Sequence, residues 1–127
     1  MMKWILRALI KNYFNFNGRA RRKEYWYYHL FQIIVNLSIL CGIFILSEYL
    51  GAACLIVSIL LFVLTIIPSL AVTVRRLHDR NMSGWWVVTT FIPYVNIVTT
   101  VFFLIIFCFK GTAGANNFGP DPLLEDC

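Results

Sequence analysis

Charge is scarce in this chain of 127 residues: 13% of them are Asp, Glu, Lys or Arg, and only six are acidic. So thin a set cannot cover a soluble domain in which 60% of the residues are hydrophobic and the mean hydropathy is +0.74. Lipid must solvate much of the chain. Closely spaced cysteines are missing, which excludes the usual metal and redox motifs. Cys41, Cys54 and Cys108 lie inside apolar runs as small packing residues, and Cys127 is last. A small-residue cleavage pattern is missing after the first apolar run, so no cleaved signal peptide is expected. Internal repeats and low-complexity linkers are missing too, and the length allows one domain, 1–127. The charge present is mostly positive, net +5, and it flanks apolar spans instead of forming a separate soluble face. That placement points to anionic lipid as counter-charge and away from nucleic acid.

In residues 2–14, Lys3, Arg7 and Lys11 recur every fourth position beside Trp4, Ile5, Leu9, Tyr13 and Phe14, which predicts an amphipathic interfacial helix. Asn15 to Gly18 is a turn. Arg19, Arg21, Arg22 and Lys23 then precede Tyr25 Trp26 Tyr27 Tyr28, the order met on passing from cytoplasm through headgroups into hydrocarbon. A first span is expected over 25–47 and a second over 51–74, each longer than the ~20 residues needed to cross. Glu48, Tyr49 and Leu50 alone separate them, forcing an antiparallel hairpin with this link outside. Pro68 should kink the second span near Ile67, with Ser69 and Thr73 placed to satisfy the freed carbonyl. The third apolar run, 85–109, is long enough for one crossing and too short for two. Pro93 breaks it, leaving a single kinked span or a re-entrant segment. The single span is preferred, because the loop-like tail 110–127 adds Asp121, Glu125 and Asp126 and no base beyond Lys110. The expected fold is all-α: an integral membrane helical bundle of three transmembrane helices, N-terminus cytoplasmic and C-terminus periplasmic.

Between the second and third runs lies a polar stretch, Arg75 Arg76 Leu77 His78 Asp79 Arg80 Asn81 Met82 Ser83 Gly84 Trp85 Trp86. Arg19, Arg22, Arg75, Arg76 and Arg80 are candidates for an anion or lipid headgroup, because guanidinium suits bidentate contact with phosphate or carboxylate. Glu24, Asp79 and His78 are candidates for internal pairing that locks the two polar segments together. His78, Asp79 and Ser83 supply the residue types of a hydrolase but no nucleophile elbow. His29 and His78 lack the further ligands of a metal site, so neither metal nor cofactor is expected. His29, Gln32 and Asn36 share one face of the first span, as interhelical glue or as the lining of a solute path.

Three stretches carry a resemblance. Phe14 and Phe16 with Gly18 Arg19 Ala20 and Arg22 Lys23 Glu24 Tyr25 Trp26 form the first. Arg75 Arg76 Leu77 His78 Asp79 with Ser83 Gly84 Trp85 Trp86 form the second. Gly111, Gly114, Asn116 or Asn117, and Phe118 Gly119 Pro120 Asp121 Pro122 form the third. Together they resemble the signatures of the YhaH-like family of small bacterial inner-membrane proteins, a domain of unknown function numbered eight hundred and five. Arg21 stands where a small polar residue is more usual, and Asn81 Met82 replaces a pair containing glycine. The resemblance implies an inner-membrane location and a helical fold, and no activity.

With ten of the eleven basic residues on one expected side, the sequence favours a non-enzymatic module binding anionic lipid or a membrane partner through a basic cytoplasmic face. An oligomeric transporter or channel, and an enzyme acting on lipid-linked substrates, are the alternatives.

Overall fold

The computed structural model describes residues 1–124, the side chains of residues 46–50 apart. Among the described residues the regular elements are helical, with one isolated bridge between Asn116 and Gly119. Helix α1 (Met2–Leu6) runs on into a π-helical turn, Arg7–Lys11. Helical geometry then extends from Arg22 to Asp79, 58 residues that would reach roughly 87 Å if straight. The chain doubles back instead, for the Tyr28 hydroxyl donates to the Thr65 carbonyl at 2.9 Å and Arg75 lies 2.8 Å from Glu24. Its two long apolar segments, α2 (Arg22–Ile45) and α3 (Gly51–Asp79), are therefore the antiparallel hairpin expected from the short link. The side chains of Glu48, Tyr49 and Leu50, expected outside, fall beyond those described, as do Glu125, Asp126 and Cys127.

Most of the hairpin surface is apolar and uncovered, including Ile33, Leu37, Leu55, Ile59 and Phe62, as suits contact with acyl chains. The packed core sits at one end, where Ala8, Ala20, Tyr25, Tyr28, Val72, Leu77, Phe103 and Phe107 meet. Lipid is as apolar as leucine, so helix contact in a bilayer depends on close packing and polar bonds. Ala8, Ala20 and Ala71 have no exposed surface and let backbones approach. The Tyr25 ring meets Phe107 edge-on at 4.7 Å, and Phe103 stacks on Phe107 at 5.2 Å.

The N-terminal segment is docked on this core instead of lying free at the interface. Ile5, Ala8 and Asn12 are buried, while Lys3 and Lys11 stay exposed. Pro68 explains part of the attachment. It is fully buried inside α3 and offers no N–H to the Leu64 carbonyl four residues earlier. That carbonyl accepts the Tyr13 hydroxyl at 2.6 Å. Thr73, expected to help there, is engaged elsewhere: its hydroxyl donates to the Ser69 carbonyl at 2.8 Å.

The third apolar run does not form one long helix, and the single kinked crossing preferred from the sequence is not confirmed. It divides into a 3-10 helix, Gly84–Phe91, and helix α4, Val95–Cys108. At 14 residues α4 reaches roughly 21 Å, short of the ~30 Å hydrocarbon core. Ser83 caps the 3-10 helix. Pro93 follows it, and Tyr94 at φ +66° reverses the chain. Both ends of the run lie at the Asp79 end of α3. A Cβ on Gly84 would press on Val74 and His78, and one on Gly111 would overlap the Asp79 carboxylate. The tail consequently lies with residues 18–24 and 75–80, not on the opposite face where the sequence reading put it. The acid-rich, base-poor tail misled that reading because its polar groups serve the arginines.

Candidate functional site: a basic junction at one end of the hairpin

Gly18, at φ +81°, turns the chain so that residues 19–21 run extended against the end of α3, where the Ala20 amide donates to the Arg75 carbonyl at 3.0 Å. This sends Arg19 inward. Its Nε donates to Asp79 Oδ1 at 3.0 Å, its Nη1 to the Gly114 carbonyl at 2.6 Å, and its Nη2 to the Thr112 carbonyl. Arg76, with no exposed surface, donates to Asp79 Oδ2 and to the carbonyls of Phe107 at 3.0 Å and Phe109 at 2.6 Å. One carboxylate thus pairs with two buried guanidiniums, and the trio keeps a net charge of +1. A second pair stands beside it: Arg75 and Glu24, 2.8 Å apart and both almost wholly buried.

The end of α4 explains why so many arginines gather here. A helix leaves its last carbonyls without intrahelical donors and carries partial negative charge there. Phe107 and Phe109 accept from Arg76, Cys108 accepts from Arg22 at 3.1 Å, and Lys110 accepts from Arg80. Four successive carbonyls are capped by guanidiniums from two other elements. The tail completes the closure, with the Thr112 amide on the Asp79 carbonyl at 2.9 Å and Asn116 Nδ2 on the His78 carbonyl at 2.9 Å. His78 stacks on Phe118 at 4.0 Å, and its Nδ1 lies 3.2 Å from the Gly18 carbonyl. Asp121 accepts from the Leu123 and Gly114 amides at 2.9 and 3.0 Å. The Leu123 amide, aided by that of Gly114, holds its carboxyl below the ordinary carboxylate range.

The residues singled out from the sequence divide into two places. Arg19, Arg22, Arg75, Arg76, Arg80, Glu24, Asp79 and His78 all meet in this junction. His29, Gln32 and Asn36 lie further along α2: His29 stacks on Tyr25 at 4.1 Å, Gln32 Nε2 donates to Thr65 Oγ1 at 2.8 Å, and Asn36 is exposed. His78, Asp79 and Ser83 do not converge. Asp79 faces Arg19 and Arg76, His78 faces Phe118, and Ser83 accepts from the Trp85 amide. Sequence reasoning missed Arg21 and Lys110. Arg21 donates to the Pro122 carbonyl and sits 5.7 Å over the Trp4 ring. The signal for both was the turn-rich segment after α4, whose glycines allow the tail to return.

Between the tail and these arginines lies a cavity of about 220 Å3. Arg19, Arg21, Arg22, Arg76 and Lys110 line it with Asp79 and Asp121, and residues 111–113 and 122–123 wall it. Five cations face two carboxylates, a balance of +3. Such a space can take an anion with several acceptor oxygens.

The fold and junction define a helical membrane protein in which, among the described residues, the buried ion pairs are gathered at one end of an apolar hairpin. The chain belongs to the family described as protein of unknown function (DUF805), which residues 13–120 match. It is 40% identical over 121 residues to inner membrane protein YhaI of Escherichia coli K12, covering 95% of this chain and 96% of that one. It is equally 40% identical over 128 residues to inner membrane protein YhaH of the same strain, covering 98% and 99%. Uncharacterized protein YiiR of that strain is 29% identical over 134 residues, covering 85% and 86%. No solved structure matches. The inner-membrane setting expected from the sequence is thereby supported by relatives over nearly the whole chain.

Proposed function

We propose that the junction is a non-catalytic site for the phosphate of an anionic membrane lipid, held at the cytoplasmic surface of the inner membrane. The observation that carries this reading is the +3 balance of the cavity lining. In this reading Arg19 and Arg76, already paired with Asp79, form a fixed wall, and Arg22, Arg21 and Lys110 supply the remaining charge. Arg22 and Lys110 are exposed at the rim, where headgroup phosphates lie. Arg75, paired with Glu24, contributes to the fold and not to the ligand. Gln32 bonds Thr65 on the facing helix, which supports its reading as an interhelical contact over the lining of a pore, while His29 contacts Tyr25 of its own helix.

Native mass spectrometry in mild detergent tests the lipid. The chain should retain phosphatidylglycerol in preference to phosphatidylcholine, and Arg22→Ala with Lys110→Ala should weaken retention by about tenfold or more. Equal retention of both lipids, or retention unchanged in the double variant, would overturn the reading. Orientation has its own check, since basic segments stay in the cytoplasm. A cysteine placed at Ala113 in an otherwise cysteine-free chain should react with a membrane-impermeant maleimide in inverted vesicles and not in intact spheroplasts. Reaction in spheroplasts would put the junction on the periplasmic side.

A further inference from the structure

Asn36 is the one polar residue of the first span's stripe that the hairpin leaves unsatisfied. His29 Nδ1 lies 3.1 Å from the Tyr25 carbonyl, Gln32 bonds Thr65, and the Ser38 hydroxyl donates to the Ile34 carbonyl at 2.8 Å. Asn36 is exposed and makes no hydrogen bond among the described residues. It lies roughly 21 Å along α2 from Arg22 and roughly 13 Å from Ile45, near the middle of a ~30 Å hydrocarbon layer. No water is available at that depth, and lipid ester and phosphate oxygens sit at the interface, more than 10 Å away by the same ~30 Å measure. A carboxamide carries two donors and two acceptors, and leaving them open in hydrocarbon is costly. A polar group on another protein chain at the same depth would satisfy them.

We infer that Asn36 marks the contact between two copies of this protein. The carboxamide is self-complementary, and a second α2 related by a two-fold axis along the membrane normal presents the same group at the same depth. The surrounding face fits helix packing. Ile33, Leu37 and Leu40 lie three before, one after and four after Asn36, and they are 55%, 55% and 51% exposed. Apolar knobs around one buried asparagine fix register and copy number in helix pairs. This contact is about 20 Å from the basic junction along α2, so it stands whether or not that junction holds lipid.

The test uses the full-length protein in liposomes and in mild detergent. Wild type should form a dimer, Asn36→Gln should keep it, and Asn36→Leu should raise the dissociation constant about three- to thirtyfold. Because the leucine would face lipid, the variant should fold, and unchanged helical circular dichroism would establish that. In a cysteine-free background, Leu40→Cys should cross-link to itself in inner-membrane vesicles. A monomeric wild type, a dimer indifferent to Asn36→Leu, or Leu40→Cys cross-linked only to a different protein would each overturn the inference.

Discussion

Asp79→Ala is expected to cost about 3–5 kcal/mol, enough to remove most folded protein from the membrane. The reason is the charge of the junction: Arg19 and Arg76, whose side chains have 1% and 0% of their surface exposed, share one carboxylate as their counter-charge. Without it, two buried guanidiniums keep only carbonyl partners. Asp79→Asn should be nearly as harmful, because it keeps the shape and removes the charge. Thermal unfolding in mild detergent, read by near-ultraviolet circular dichroism, measures the effect. A midpoint within a degree or two of wild type would show that the carboxylate is not what holds the three segments together. Gly111 gives this site little freedom to adjust, since its Cα already lies against the same carboxylate.

The second large effect is expected at the neighbouring pair. Glu24→Gln should destabilise by about 3–5 kcal/mol because it strands Arg75, whose side chain is 3% exposed. The carboxylate also sits in the first turn of α2, where it meets the positive end of the helix dipole. Adding Arg75→Met to Glu24→Gln should recover much of the loss, since a well-packed apolar pair replaces an uncompensated charge. The interaction energy of the double-mutant cycle is expected at about 1–3 kcal/mol. Additive losses would mean that the two side chains contribute separately and that their contact is incidental.

The two spans, their hairpin and the meeting of the Arg19 and Arg75 segments were legible because each follows from a local pattern. Apolar length sets a crossing, a three-residue link forces a return, and basic residues beside aromatics mark the interface. What was not legible depends on where backbone groups go. The fate of 85–109 was decided by Tyr94 at positive φ and by carbonyls at the end of α4 that need donors. Neither leaves a hydropathy signal. The tail was read by its side-chain charge, yet it acts mainly through its Thr112, Gly114 and Pro122 carbonyls. The same blindness affected His29, Gln32 and Asn36: spacing placed them on one face but could not say how far the neighbouring helices extend along it. It also hid the pairing of Arg75 with Glu24 and of Arg76 with Asp79. Their counter-charges, Glu24 and Asp79, were named, but only three-dimensional packing shows both pairs buried.

The bond from Tyr13 to the Leu64 carbonyl has a consequence for biogenesis. Its acceptor exists as an open group only because Pro68 follows it, and it leaves the ribosome 51 residues after its donor. The segment made first is therefore among the last to settle. Until α3 has been made, the Tyr13 hydroxyl has no Leu64 carbonyl on which to dock. Pro68 thus leaves a socket in a late helix for the earliest part of the chain.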